Sequence, residues 1–142
     1  MTTTSLQLYS WGKHYLGNNF VGVFPLNRIP LMSTLKAGNT FIVNTQPDYL
    51  SGQHWIAVRV AEYTIHIFDP LGSANYPHRL VSHLHRSMKK VVYDGRRIQH
   101  PSESNCGIHC LRWLRGMCVF VCINMLLLFL LLLLFRTRIN TR

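Results

Sequence analysis

Acidic residues are scarce in this chain: 5 Asp and Glu stand against 15 Lys and Arg among 142 residues, for a formal charge of +10. That excludes a disordered acidic chain. Cysteine is limited too. There are 4, and two of them, Cys118 and Cys122, fall in a C-terminal apolar run, which is too few for a disulfide-stapled miniprotein. Met1–Leu16 lacks an apolar stretch long enough for a secretory signal, so the thiols are expected to be reduced. No second Cys/His pair stands at zinc-finger distance from Cys106, His109 and Cys110, with His100 nearby, so no metal is expected. Internal repeats are absent, and the length excludes a large multidomain enzyme.

What remains is one modest domain, residues 1–116, followed by the apolar run 117–135 and a basic tail, 136–142. Leu6, Leu8, Tyr9, Trp11 and Tyr15 give a one-sided pattern after Thr4 or Ser5, which can cap a helix ending near Gly17. Asn18–Pro30 reads as extended and looped. Phe41–Asn44 is a short apolar strand. His54–Val60 and Thr64–Phe68 are β-branched runs that predict a hairpin around Ala61-Glu62-Tyr63. Leu80, Val81, Leu84 and Met88 predict a helix over His78–Lys90. Val91–Tyr93 and Arg96–Ile98 flank Asp94-Gly95 and predict a second hairpin. Cys106–Arg115 predicts a final helix with Cys106, Cys110 and Trp113 on one side. Helices and strands in this order make an α+β fold with a small mixed sheet packed by helices, plus a C-terminal apolar helix.

The run 117–135 has three readings. Its length just matches a bilayer's hydrocarbon core at 1.5 Å per residue, which suggests a single-pass tail anchor with the domain on the cytosolic side. Arg112 and Arg115 before it and Arg136, Arg138 and Arg142 after it leave orientation unsettled by charge. A buried core helix suits so uniform a leucine run less well. The third reading is intron read-through, since Gly116-Met117-Cys118 can be encoded by DNA resembling a splice donor. The domain would then be placed in a virion or the nucleus.

Four residues invite a chemical reading. Cys106 begins a predicted helix, where partial positive charge and unpaired N–H groups favour a thiolate. Gly107 beside it is expected to leave room for a substrate carbonyl. A buried structural cysteine is the plain alternative. His54 starts a strand and can serve as a general base beside a thiol, with Trp55 shielding it, yet the chain has 8 histidines. Asp69 ends the next strand, so the hairpin brings it to the end that carries His54, where an aspartate can orient an imidazole. Equally, Asp69-Pro70 can simply begin a turn. Gln99 could join the Cys106 N–H in holding an oxyanion.

Taken together, His54-Trp55, Asp69-Pro70-Leu71-Gly72, Gln99 and Asn105-Cys106-Gly107 resemble the motif set of the adenovirus-type cysteine proteases, the adenains. The resemblance extends to FVGVFPLNRIP (20–30), FIVNT (41–45) and GQHWIAV (52–58), and to a second cysteine, Cys110. It spans roughly residues 6–115. Adenain has glutamate where this chain has Asp69, and it continues well past the nucleophile helix, so this core is expected to be truncated. The resemblance implies a papain-like peptidase: Cys106 nucleophile, His54 base, Asp69 orienting acid, Gln99 oxyanion donor. Trp55 and Gly107 would then contact substrate. It implies cleavage of protein substrates after glycine in small-residue motifs, with no cofactor required for the chemistry and DNA as an activator. No cysteine between Asp69 and Cys106 offers an attachment point for the family's disulfide-linked activator peptide.

Other readings stay open. Ubiquitin-like-protein deconjugating proteases share these motifs and usually carry aspartate, as at Asp69, but their Gln-to-Cys spacing is one residue shorter. A non-catalytic virus- or transposon-derived relic would keep the same residues. Arg79, Arg86, Lys89, Lys90, Arg96 and Arg97 cluster in sequence, which suggests non-specific, salt-sensitive DNA binding. A solvated helix face is the alternative.

Overall fold

A computed structural model describes residues 3–72 and 77–117, together with Leu127. Helix α1 (Ser5–Leu16) opens the fold. Thr4 caps it: its hydroxyl accepts from the Gln7 N–H at 3.2 Å, while the Gln7 side chain accepts from the Thr4 N–H at 3.0 Å. This reciprocal box satisfies two donors that a helix start leaves unpaired. The helix stops at Gly17, where φ turns to +61°.

Five strands follow: β1 (Phe20–Phe24), β2 (Thr40–Asn44), β3 (Trp55–Val60), β4 (Thr64–Phe68) and β5 (Lys90–Asp94). They lie in one sheet in the order of the chain. β1 and β2 are parallel, β2, β3 and β4 run antiparallel in turn, and β4 and β5 are parallel. Helix α2 (His78–His85) makes the crossover between β4 and β5. Helix α3 covers residues 106–117.

Strand alternation sends side chains to two faces, and each face has its own cover. Phe41, Val43, Ile56, Val58, Val60, Ile65 and Ile67 pack under Leu80, Val81 and Leu84 of α2. Ile42, Ala57 and Phe68 face the other way, against Leu8 and Leu16 of α1 and Cys110, Leu111 and Leu114 of α3. The sheet is thus sandwiched between helices, with β3 at its centre and β2 beside it buried along its whole length. The mixed sheet, α1, the β3–β4 hairpin and α3 agree with the α+β reading.

Two expectations are corrected. The helix predicted over His78–Lys90 ends at His85. There the Ser87 hydroxyl donates to the Leu84 carbonyl at 2.7 Å and accepts from the Lys89 N–H, and Met88 takes a positive φ of 62°. Met88 is 95% exposed, so its helical spacing from Leu84 was no sign of burial. The hairpin predicted around Asp94-Gly95 does not form. Val91–Tyr93 is a strand, but it pairs in parallel with Ile65–Ile67 of β4. The chain beyond it crosses to Pro70, whose carbonyl accepts from the N–H groups of Ile98 and Gln99. Burying Val91 beside the core outweighs the local turn signal of Asp-Gly. The apolar helix expected over 117–135 lies outside the described residues, save Met117 and Leu127. Among the described residues no helix is long and apolar enough to cross a membrane.

Candidate active site

The site is assembled at the end of the sheet where β3 begins and β4 stops. Asn44, buried at the end of β2, holds the preceding loop closed: its side-chain oxygen accepts from the N–H of Gln46 at 2.9 Å and of Gln53 at 3.3 Å. The Thr45 N–H donates to the His54 carbonyl at 2.9 Å, so the loop delivers His54 to the sheet end in a fixed pose. Because β3 and β4 are antiparallel, with Ala57 opposite Phe68, the entry of one lies beside the exit of the other. His54 Nε2 and Asp69 Oδ1 are 2.7 Å apart, and Asp69 is fully buried.

Asp69 also begins a turn, so the plain reading and the chemical one hold together. The Gly72 N–H donates to the Asp69 carbonyl at 3.1 Å, and the Leu71 N–H donates to Asp69 Oδ1 at 2.9 Å. Gly72 sits at φ +82°, and a Cβ there would meet the Gly95 carbonyl at 2.8 Å. Glycine is required on both counts. The remaining carboxylate oxygen, Oδ2, accepts from the Tyr93 hydroxyl at 3.2 Å.

Cys106 is the first residue of α3. Asn105 supplies the N-terminal carbonyl, accepting from the N–H groups of Ile108 and His109. Burial of the Cys106 thiol pushes its pKa up, but the hydrogen bond with His54 and the backbone N–H groups of Trp55 and Gly107 outweigh it and bring it below the ordinary thiol value. Burial likewise pushes His54 down, and its hydrogen bonds with Asp69 and Cys106 carry it up to about 9. The opposite shifts have one physical cause: each partner stabilises the other's charge. With Nε2 donating to Asp69, Nδ1 is the ring nitrogen left for Cys106. This arrangement favours a thiolate beside an imidazolium.

The second helix cysteine is different in kind. Cys110 is wholly buried and donates to the Trp55 carbonyl at 3.2 Å. Burial, with the charges of Cys106 and Asp69, pushes its thiol well above the ordinary value, so it stays protonated and ties α3 to β3.

No family model matches the chain. The protease of Ovine adenovirus D serotype 7 is 30% identical over 115 residues, a match covering 70% of this chain and 57% of that protein. The chain is similar to an adenovirus protease. The resemblance carried by the motif residues therefore extends beyond them, over the 115 residues of that match. A solved structure of an AvrA deletion variant, described with IP6 and CoA, superposes with a TM-score of 0.54 at 22% identity, covering 79% of this chain and 47% of that one. This second likeness is one of fold. The chain spans about half the length of both.

In this adenain-like core a cleft of about 760 Å³ runs past Cys106, with Thr3, Asp48, Trp55, Gln99 and Glu103 among its walls. A second cavity, of about 560 Å³, shares His54 and Leu71 with it and reaches Val43, Leu80 and Arg79. Trp55 stands on the cleft wall with its Nε1–H directed at the Thr3 carbonyl, 3.3 Å away. Gln99 is buried beside the cleft, and its Nε2 donates to the Glu103 carbonyl at 2.7 Å. The amide's second hydrogen remains. Gly107 does not open space for a substrate. A Cβ there would lie 2.7 Å from Leu8 and 3.0 Å from the Thr3 hydroxyl, so the glycine permits close packing of α3 on α1. Its link to the site is its N–H.

The six basic residues are distributed over α2, β5 and the segments that follow each. Arg79 is exposed on α2, Arg86 is exposed just past its end, and Lys89 donates to the Ala61 carbonyl at 2.7 Å. Lys90 opens β5, whereas Arg96 and Arg97 lie past its other end. Arg96 is held by Asp94, and Arg97 donates to the Leu71 carbonyl at 3.1 Å. None of the six lines the cleft beside Cys106.

Sequence reasoning missed Asn44 and Tyr93. An Asn before a turn-rich loop was a usable signal for the first. Tyr93 had none, because its role depends on a parallel pairing with β4.

Proposed function

We propose that this chain is a cysteine peptidase core that hydrolyses peptide bonds in protein substrates. The observation that carries the reading is the linked set Asp69, His54 and Cys106, with His54 Nε2 at 2.7 Å from Asp69 Oδ1 and the thiol at a helix start on an open cleft. Cys106 Sγ attacks the scissile carbonyl carbon, and the carbonyl oxygen takes the negative charge. The Cys106 N–H and the Gln99 amide hold that oxygen. His54 gives its proton to the leaving amine as the C–N bond breaks, leaving a thioester. His54 then takes a proton from water, whose oxygen displaces Sγ and releases the acid. Asp69 keeps the imidazole in register throughout.

Cleavage after glycine in small-residue motifs is the substrate class that the family resemblance supports, with Trp55 placed on the cleft wall to restrict bulk. One residue favours a second reading, deconjugation of ubiquitin-like proteins: the acid is aspartate at position 69.

The test is peptide hydrolysis by the full chain against a panel of glycine-containing peptides and ubiquitin-like fusions. Cys106→Ala and His54→Ala are each expected to abolish turnover while circular dichroism stays unchanged. Gln99→Ala is expected to lower turnover by roughly 10²–10³-fold. Unchanged turnover in the Cys106 or His54 variant would refute the assignment, and preferential cleavage of the fusions would select the second reading.

A further inference from the structure

Asp69 is sealed from solvent, and a buried carboxylate depends on its donors. Oδ1 receives the Leu71 N–H at 2.9 Å and faces His54 Nε2 at 2.7 Å. Both act on one oxygen. Among the described residues, Tyr93 is the side chain that donates to Oδ2, through its hydroxyl at 3.2 Å. Tyr93 comes from β5, opposite Ile67 in the parallel ladder, and the ladder continues beyond it as the Asp69 N–H donates to the Asp94 carbonyl at 3.1 Å. The tyrosine and the acid are therefore carried on adjacent, directly bonded strands.

We propose that Tyr93 is a positioning residue for the catalytic acid: its hydroxyl fixes the plane of the Asp69 carboxylate so that Oδ1 stays aligned with His54. The proposal rests on the peptidase reading above. A carboxylate held at one oxygen can still turn about its terminal bond, since that torsion is broad. Holding the second oxygen removes this freedom without adding a charge. Among the described residues, the other titratable groups that interact with Asp69 are His54 from the entry of β3 and the thiol of Cys110 from α3, with Cys106 reached through His54. Arg96, near Tyr93 in sequence, is spent on Asp94.

Tyr93→Phe removes the hydroxyl and keeps the ring. The measurement is the rate of Cys106 alkylation by iodoacetamide against pH in the full chain, read at Cys106 by mass spectrometry because the chain holds 4 cysteines. In the unsubstituted chain the thiol should react at lower pH than a free cysteine does, with a further step near pH 9 where His54 loses its proton. In Tyr93→Phe that step should move down by about half a unit or more, because a turning carboxylate holds the imidazolium less well. Turnover should fall about 5–10-fold with KM unchanged. In an Asp69→Asn background the same substitution should have no further effect, since it acts through Asp69. A step that stays or rises, or additive effects in the double variant, would overturn the role for Tyr93 while leaving the peptidase reading intact. Absence of low-pH reactivity in the unsubstituted chain, unaltered by His54→Ala, would overturn both.

Discussion

At the residue scale, His54 is the hinge of the chemistry and of a pH dependence. Its folded pKa of about 9 stands above the ordinary value of 6.5. A raised value means that the folded state holds the proton more tightly than the unfolded chain does. The stability that His54 contributes is therefore complete below about pH 6.5 and is lost as pH rises through about 9. The stability difference between the unsubstituted chain and His54→Ala should shrink across that window, as read by denaturant titrations at several pH values. A difference that is constant with pH would deny the charged pair. Cys106 and Cys110 show how far environment divides one residue type. The first shares hydrogen bonds with His54 and two backbone donors and is brought below its ordinary value. The second has no compensating donor and is pushed well above it.

At the element scale, the site depends on how closely α3 lies on α1. Gly107 faces Leu8 and Thr3, and a methyl group there would meet them inside van der Waals distance. Gly107→Ala is expected to lower unfolding free energy by about 1–3 kcal/mol, the usual cost of overpacking. Urea titration checks it. Displacing α3 also displaces Cys106 from His54, so low-pH reactivity should fall in the same variant. Had Gly107 been open to substrate, stability would be unchanged and only KM would move. The ends of elements follow the same logic of competing contacts. Leu84 and Met88 share helical spacing, but α2 stops between them because β5 has to reach Ile65 of β4.

At the scale of the whole molecule, the site is shared by distant parts of the chain. Thr3 meets Trp55, Trp55 meets Cys110, and Asp69 meets Tyr93. No part of it survives loss of the sheet. Cys110, with no exposure, should therefore react with alkylating agents only through global unfolding. Its labelling midpoint in guanidinium should coincide with that of far-ultraviolet circular dichroism, whereas Cys106 is expected to react in the native state. Labelling of Cys110 well before the dichroism changes would mean that α3 detaches by itself.

The sequence alone determined the parts governed by local periodicity and local chemistry. The Thr4 cap, the Phe41–Asn44 strand, the β3–β4 hairpin and the helix beginning at Cys106 were all legible in it. The juxtaposition of His54 with Asp69 was legible as well, because a tight hairpin leaves its two open ends no other place to go. The tertiary structure decided what depends on a choice among partners. Tyr93 reaches Asp69 only because β5 takes β4 rather than Arg96–Ile98 as its neighbour. Gly107 serves helix packing only because α1, from the other end of the chain, covers it. Lys90 and Arg96, close in sequence, stand at opposite ends of β5. In each case the signal is long-range: burial of apolar area and satisfaction of ladder hydrogen bonds across distant segments outweigh the weaker preferences written in any short stretch.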